Sequence, residues 1–338
     1  MSAFHRAAWT QIFRINKIMN ITALDGYTLN PGDNPWDAVS NLGAFTCFER
    51  TPVDQIVERA QNAEIILTNK APLSAATIKQ LPKLKFISVT ATGYNIVDVQ
   101  AARMRGIPVS NVPIYATDTV AEYIMAFLLN FYYQPQLHSE LVKQGEWSRS
   151  SDFCFWRTPL AELAGRTIGI VGFGRIGRRV GELAAAFKMR VLVNNRSRGQ
   201  LSPYPVEWRE IPDLFAESDV VTLHCPLTSE NAGMVNESLL GRMKKSAYLI
   251  NTARGALVNE KDLAAALHQG TIAGAALDVV STEPIAPDNP LLRAPNVTIT
   301  PHIAWAAIEA RRRLMAVTAQ NIAAFLAGKP INVVNRES

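Results

Sequence analysis

An apolar run at 167–171 ends in Gly172, Gly174 and Gly177, spaced G-x-G-x-x-G, and an amphipathic helical pattern follows. No other feature of the chain constrains its fold as much. Gly172 permits a tight turn out of a strand, Gly174 lets backbone approach a pyrophosphate, and Gly177 lets helix and strand pack closely. The N–H groups at the helix start, around Arg175 and Ile176, then face an anion that the helix dipole also favours. A second strand pattern at 190–194 completes the unit. The spacing predicts a dinucleotide site that includes Gly172, Gly174, Arg175, Ile176 and Gly177.

The fingerprint starts near the middle of the 338 residues, so another domain is built first, and the length allows two substantial cores. Strand patterns at 21–24, 45–49, 65–68, 86–89 and 108–110 alternate with helical patterns at 52–60, 75–80 and 97–104. Such alternation predicts a parallel sheet covered by helices. A long apolar helix is expected over 118–133, with Thr117 or Asp118 as its cap. An irregular aromatic stretch with Trp147, Phe153, Phe155 and Trp156 comes next.

After the glycine loop, further strands are expected at 220–223, 247–251, 274–278 and 297–300. A second long helix at 304–326 returns the chain to the first domain, with a closing strand at 331–334. The fold class expected is therefore α/β. Two Rossmann-like, doubly wound parallel-sheet domains share the chain, the nucleotide-binding one (118–305) inserted into a substrate-binding one (19–117 and 306–338). Facing domains of this kind would form a cleft able to exclude water.

Composition removes several classes of function. The net charge of +5 is modest and the basic residues are scattered, which argues against nucleic acid as a partner. No apolar run approaches the ~20 residues needed to span a bilayer, so no membrane partner is expected. Cys47, Cys154 and Cys225 match no metal-ligand spacing; they suggest a reducing compartment, the cytoplasm, and no metal. Residues 1–18 are basic and free of acids. A presequence would have that composition, but an upstream start codon or a tail outside the fold is the blander reading.

Three later strand ends carry polar groups: Asn251-Thr252-Ala253-Arg254-Gly255, Asp278 through Glu283-Pro284, and Pro301-His302-Ile303-Ala304-Trp305. Each follows an apolar strand, so each belongs at the sheet edge that bears the glycine loop. Beside a dinucleotide, these residue types suit polar chemistry on a substrate that bears oxygens. A guanidinium presents paired donors and stays charged. A histidine can supply a proton near neutrality, and a neighbouring carboxylate orients its ring.

At these residues the chain resembles the D-isomer-specific 2-hydroxyacid dehydrogenases, from about Met19 to Val334. The motifs that carry the resemblance are Thr68-Asn69-Lys70, Ala91-Thr92-Gly93-Tyr94-Asn95, the glycine loop, Asn251–Gly255, Glu283-Pro284 and Pro301–Trp305. Within the family it is most similar to members acting on D-glycerate and hydroxypyruvate.

The resemblance implies catalytic roles for Arg254, Glu283 and His302. It implies that Thr92 and Gly93 offer backbone N–H groups to a substrate carboxylate, with Lys70 and Asn95 close by. It sets His224 and Pro226 beside the cofactor, lines the nicotinamide side with Thr252 and Ala253, and gives Asp278 the nicotinamide carboxamide. Trp156 and Trp305 could narrow the pocket. A homodimer is expected, with the aromatic segment 147–156 reaching across.

NAD-type folds place an acidic residue on the ribose diol at the end of the second strand. Here that place holds Asn195, followed by Arg196, Ser197 and Arg198. Neutral and cationic donors favour NADP(H), with NAD(H) possible. The function expected is reduction of hydroxypyruvate, and of glyoxylate, to D-glycerate and glycolate. A broad 2-oxo acid reductase and a dinucleotide-sensing, corepressor-like binding protein are the alternatives. The end of the chain shortly after the return helix disfavours a phosphoglycerate dehydrogenase.

Overall fold

The computed structural model describes residues 18–197 and 202–336. Nearly all of the 1–18 extension, and Arg198 of the basic loop, lie outside the described residues. Two compact units are present. Ala116–Ala307 form one; the described residues up to Tyr115 and from Ile308 form the other.

The first unit holds β1 (Asn20–Ala23), β2 (Ala44–Cys47), β3 (Ile65–Thr68), β4 (Phe86–Val89) and β5 (Val109–Ser110), all parallel, in the order β2-β1-β3-β4-β5. Every residue of β3 and β4 is buried, which is why both read as continuous apolar runs. Phe86 of β4 stacks on Phe325 of the helix Ile308–Leu326, with centroids 4.5 Å apart, so the last helix belongs to this unit.

Three departures from the pattern have an identifiable cause. The helix expected over 97–104 begins at Val99, because the Asp98 carboxylate accepts from Ala101 N and caps it. The long helix begins at Ile308 rather than 304, because the N–H groups of Ile303 and Ala304 are bound to Asp278. Residues 331–334 do not form a strand. A single antiparallel bridge joins Ser110 to Val333, and Asn332 interrupts the run at φ 53°.

The second unit holds β6 (Thr167–Val171), β7 (Arg190–Asn194), β8 (Glu207–Trp208), β9 (Val220–Leu223), β10 (Tyr248–Asn251), β11 (Gly274–Leu277) and β12 (Val297–Ile299). All pair in parallel, in the order β12-β11-β10-β9-β6-β7-β8. Chain progression reverses between β6 and β9, and open α/β sheets bind ligands beyond the strand ends at such a point.

The long helix Thr117–Tyr133 packs against the helix Arg175–Ala186. Its N-cap is Ala116, which makes no side-chain bond. Thr117 and Asp118 are therefore inside the helix, and Asp118 pairs with Arg179 at 2.8 Å. Gln134, at φ 41°, turns the chain into a further helix, Pro135–Lys143, that hydrophobic patterning did not announce. No helix among the described residues is long and apolar enough to cross a membrane.

Candidate active site

The glycine loop lies at the reversal between β6 and β9. Gly172 has φ 96°, and a Cβ there would lie 2.5 Å from Cys225 N. The turn after β6 and the turn after β9 therefore touch backbone to backbone. A Cβ on Gly177 would stand 2.2 Å from Gly172 O, so helix and loop leave no room for a side chain. At Gly174, the N-cap of the helix Arg175–Ala186, nothing lies within 4 Å of an added Cβ. Tight packing at two glycines and open space at the third is the shape a pyrophosphate needs. The residues present thus fit a dinucleotide.

At the end of β7 a depression of about 360 Å³ is lined by residues that include Asn195, Arg196, Trp208, Arg209 and Glu210. The Asn195 amide donates to Ser197 O and Oγ at 3.3 and 3.4 Å. Arg196 is exposed. Arg209 is engaged by Glu207 and Glu217. Neutral and cationic groups thus end the strand, and Glu210 adds one carboxylate to the lining.

His224 follows β9, and its Nε2 lies 3.0 Å from Thr222 Oγ1. Burial of the ring pushes its pKa down to about 3. It is therefore neutral at neutral pH and unsuited to supplying a proton there. Pro226, on the same turn, is exposed.

Glu283 and His302 come together across 19 residues of chain, with Glu283 Oε2 2.7 Å from His302 Nδ1. Both side chains are partly exposed. The pair leaves the opposite ring nitrogen, Nε2, for another partner. His302 has φ 56°, a left-handed conformation uncommon for a residue with a side chain and costing on the order of 1 kcal/mol.

Arg254 is exposed, and its Nη1 donates to Ala253 O at 2.7 Å. The Asn251 side chain shapes the turn: Oδ1 accepts from Ala253 N at 3.0 Å, and Nδ2 donates to Arg254 O at 2.9 Å. Thr252 Oγ1 is buried with no hydrogen-bond partner, so a polar group on the ligand side could still satisfy it.

Two carboxylates do work that motif spacing did not reveal. Asp278, 1 % exposed, receives Thr300 Oγ1, Ile303 N and Ala304 N at 2.6–2.8 Å. Glu260 receives Ser281 N, Ser281 Oγ and Asn289 Nδ2 at 2.6–2.9 Å, and so anchors the loop that carries Glu283. Trp305, expected as a pocket wall, donates its Nε1–H to His302 O at 2.9 Å.

In the first unit the loops named from the sequence are also held by polar groups. Asp25 follows β1 and accepts from the backbone N–H groups of Asn69, Lys70 and Ala71. Thr92 Oγ1 donates to Val112 O at 2.9 Å, and Asn111 Nδ2 donates to Thr92 O at 2.7 Å. A relay continues behind it: Asn321 Nδ2 donates to Asn111 O, and Asn332 Nδ2 to Asn321 Oδ1. Lys70, Thr92 and Asn95 are exposed, and Gly93 is half-buried.

Comparison with known proteins places the chain among relatives of known family. The model of the NAD binding domain of D-isomer specific 2-hydroxyacid dehydrogenases matches residues 125–304. A hydroxypyruvate reductase of Blautia hydrogenotrophica is 43 % identical over 322 residues, 94 % of this chain and 100 % of that protein. A glycerate dehydrogenase of Methylorubrum extorquens is 42 % identical over 83 % of this chain and 88 % of its own length. Among solved structures, an acyclic imino acid reductase in complex with NADPH and D-Arg superposes with a TM-score of 0.80 at 31 % identity, covering 94 % of this chain and 100 % of that one.

Proposed function

Since the chain belongs to the D-isomer-specific 2-hydroxyacid dehydrogenases, we propose that it reduces hydroxypyruvate to D-glycerate and glyoxylate to glycolate, with NADPH preferred to NADH. The observation that carries the chemistry is the 2.7 Å contact between Glu283 and His302 in the unit that bears the glycine loop. Identity along the whole length of a hydroxypyruvate reductase supports the substrate class.

Bound nicotinamide supplies the hydride. Glu283 accepts from His302 Nδ1–H and fixes the ring, so that Nε2–H delivers the proton to the developing alkoxide. Arg254 presents paired donors to the substrate's carboxylate and carbonyl. Asn251 holds the Arg254 turn in shape. Gly172, Gly174, Arg175, Ile176 and Gly177 cradle the pyrophosphate. His224, Pro226, Thr252 and Ala253 border the cofactor, and a spare acceptor position on Asp278 takes the carboxamide. In the first unit, Lys70, Thr92, Gly93 and Asn95 carry donors suited to a carboxylate.

The NADPH preference rests on Asn195, Arg196 and Ser197 at the place where a carboxylate would bind a ribose diol. The protein is further read as a cytoplasmic homodimer. Its three cysteines are free. Trp147, Phe153 and Trp156 are 51 %, 89 % and 60 % exposed, more aromatic surface than an isolated chain ordinarily leaves in water, and a second copy would cover it.

A panel of hydroxypyruvate, glyoxylate and pyruvate, each run with NADH and NADPH, tests the reading. Highest efficiency on hydroxypyruvate supports it. Equal efficiency on all three favours a broad 2-oxo acid reductase. Tight cofactor binding without turnover favours a dinucleotide sensor.

A further inference from the structure

We propose that Asp278 and Trp305 are positioning residues for His302, which together hold its backbone left-handed so that its ring meets Glu283. The inference rests on the reading of His302 as proton donor and adds to it the device that sets its geometry.

A histidine at φ 56° relaxes to negative φ unless its neighbours forbid it. Both flanks of His302 are tied. On the C-terminal side, Ile303 N donates to Asp278 Oδ1 and Ala304 N to Oδ2, each at 2.8 Å. On the N-terminal side, Thr300 Oγ1 donates to the same carboxylate at 2.6 Å, and His302 N donates to Thr300 O at 3.0 Å. The carbonyl of His302 itself is held by Trp305 Nε1–H at 2.9 Å. Asp278 N donates to Asn251 O at 2.9 Å, so the carboxylate sits at a fixed height above the sheet.

Hydrogen bonds to a carboxylate are short and among the stronger ones in proteins. Three of them on one carboxylate outweigh the strain of one left-handed residue. Rotation of His302 to negative φ would redirect its Cα–Cβ bond and separate Nδ1 from Glu283. The carboxylate that the family resemblance assigns to the nicotinamide therefore has three of its acceptor positions occupied by the His302 loop.

The test compares wild type with Trp305→Phe, Thr300→Val and Asp278→Asn. Trp305→Phe keeps an aromatic side chain but removes the N–H donor together with part of the indole, so a thermal-stability readout runs beside it. Two readouts are needed. The first is the exchange-protected Nδ1 proton of His302 in the NMR spectrum of histidine-labelled protein, assigned by its loss in H302Q. The second is kcat for hydroxypyruvate beside the dissociation constant of NADPH, read by fluorescence.

The clamp predicts that Trp305→Phe loses the protected proton and about tenfold in kcat, with NADPH affinity unchanged. Thr300→Val should follow in the same direction, and these two decide the matter if Asp278→Asn does not fold. Retention of both the proton and kcat, or a change confined to thermal stability, overturns the proposal. If the wild type reduces no 2-oxo acid, the functional reading falls, while the proton signal still decides the clamp.

Discussion

A Cβ on Gly255 would lie 1.9 Å from the carbonyl carbon of Val280. The turn bearing Arg254 and the chain leading to Glu283 are thus in backbone contact. No side chain fits there without moving one of them. Gly255→Ala should destabilise the protein by about 1–3 kcal/mol through overpacking and lower kcat/KM for hydroxypyruvate at least tenfold. Thermal unfolding and steady-state kinetics measure both. A variant with wild-type kinetics would show that this contact does not set the site.

His302→Ala should lower kcat by about two orders of magnitude or more and leave NADPH binding nearly intact. Glu283→Gln should lower kcat less, because His302 keeps its ring and loses only its ionic holder. Fluorescence titration with NADPH, beside turnover, checks both variants. Activity of His302→Ala within a few-fold of wild type would remove His302 from the reaction.

Arg254→Lys keeps the charge and loses the paired-donor geometry. The expected outcome is a large fall in kcat/KM for hydroxypyruvate with little change in cofactor affinity. A lysine that served as well would show that charge alone suffices.

Wild type should have the higher kcat/KM with NADPH. One charge-assisted hydrogen bond contributes about 1.5–3 kcal/mol, roughly ten- to hundredfold in preference. The preference should shrink as salt rises. Asn195→Asp with Arg196→Ala should narrow or reverse it, and cofactor kinetics at two ionic strengths read the effect. Glu210 in the same depression is the group that would limit the preference.

Glu207 is held down to about 2 from the usual 4.5, chiefly by its hydrogen bond to Arg190, with Arg209 adding to it. Its carboxylate is ionised in the folded state where the unfolded chain would already bind a proton. Its contribution to stability is therefore complete above about pH 4.5 and is lost as pH falls toward about 2. Arg190→Ala should lower Tm at pH 6, and the gap from wild type should close on acidification through that window. A gap independent of pH would refute the coupling.

Much of the site was legible before folding because it depends on local backbone. The expected roles of Gly172, Gly174 and Gly177 follow from one turn and one helix start; the structure shows close backbone at Gly172 and Gly177 and open space at Gly174. β6 and β9 are buried throughout, so their apolar runs marked them as central strands. Asp278 was visible as a residue, but its grip on a loop 22–26 residues later was not. The bond from Trp305 to His302 O was hidden for the same reason, since nothing in a sequence shows where an indole N–H points. The 331–334 segment looked like a strand by composition. Two backbone bonds, Asn111 N to Asn332 O and Val334 N to Val109 O, and the side-chain amides of Asn332 and Asn335 hold it without a ladder.

The sequence by itself determined two parallel α/β units, the phosphate-binding turn and the identities of the residues at its strand ends. Burial periodicity and glycine stereochemistry act over a few neighbouring residues, and a chain displays them in order. Only the tertiary structure decided that Glu283 meets His302, that Asp278 and Trp305 hold His302 left-handed, that Glu260 anchors the Glu283 loop and that Asp25 ties down the turn before Lys70. Each of these rests on a hydrogen bond made by a side chain, and most join residues far apart in the chain. Its geometry exists only after packing has fixed the distance between the two partners.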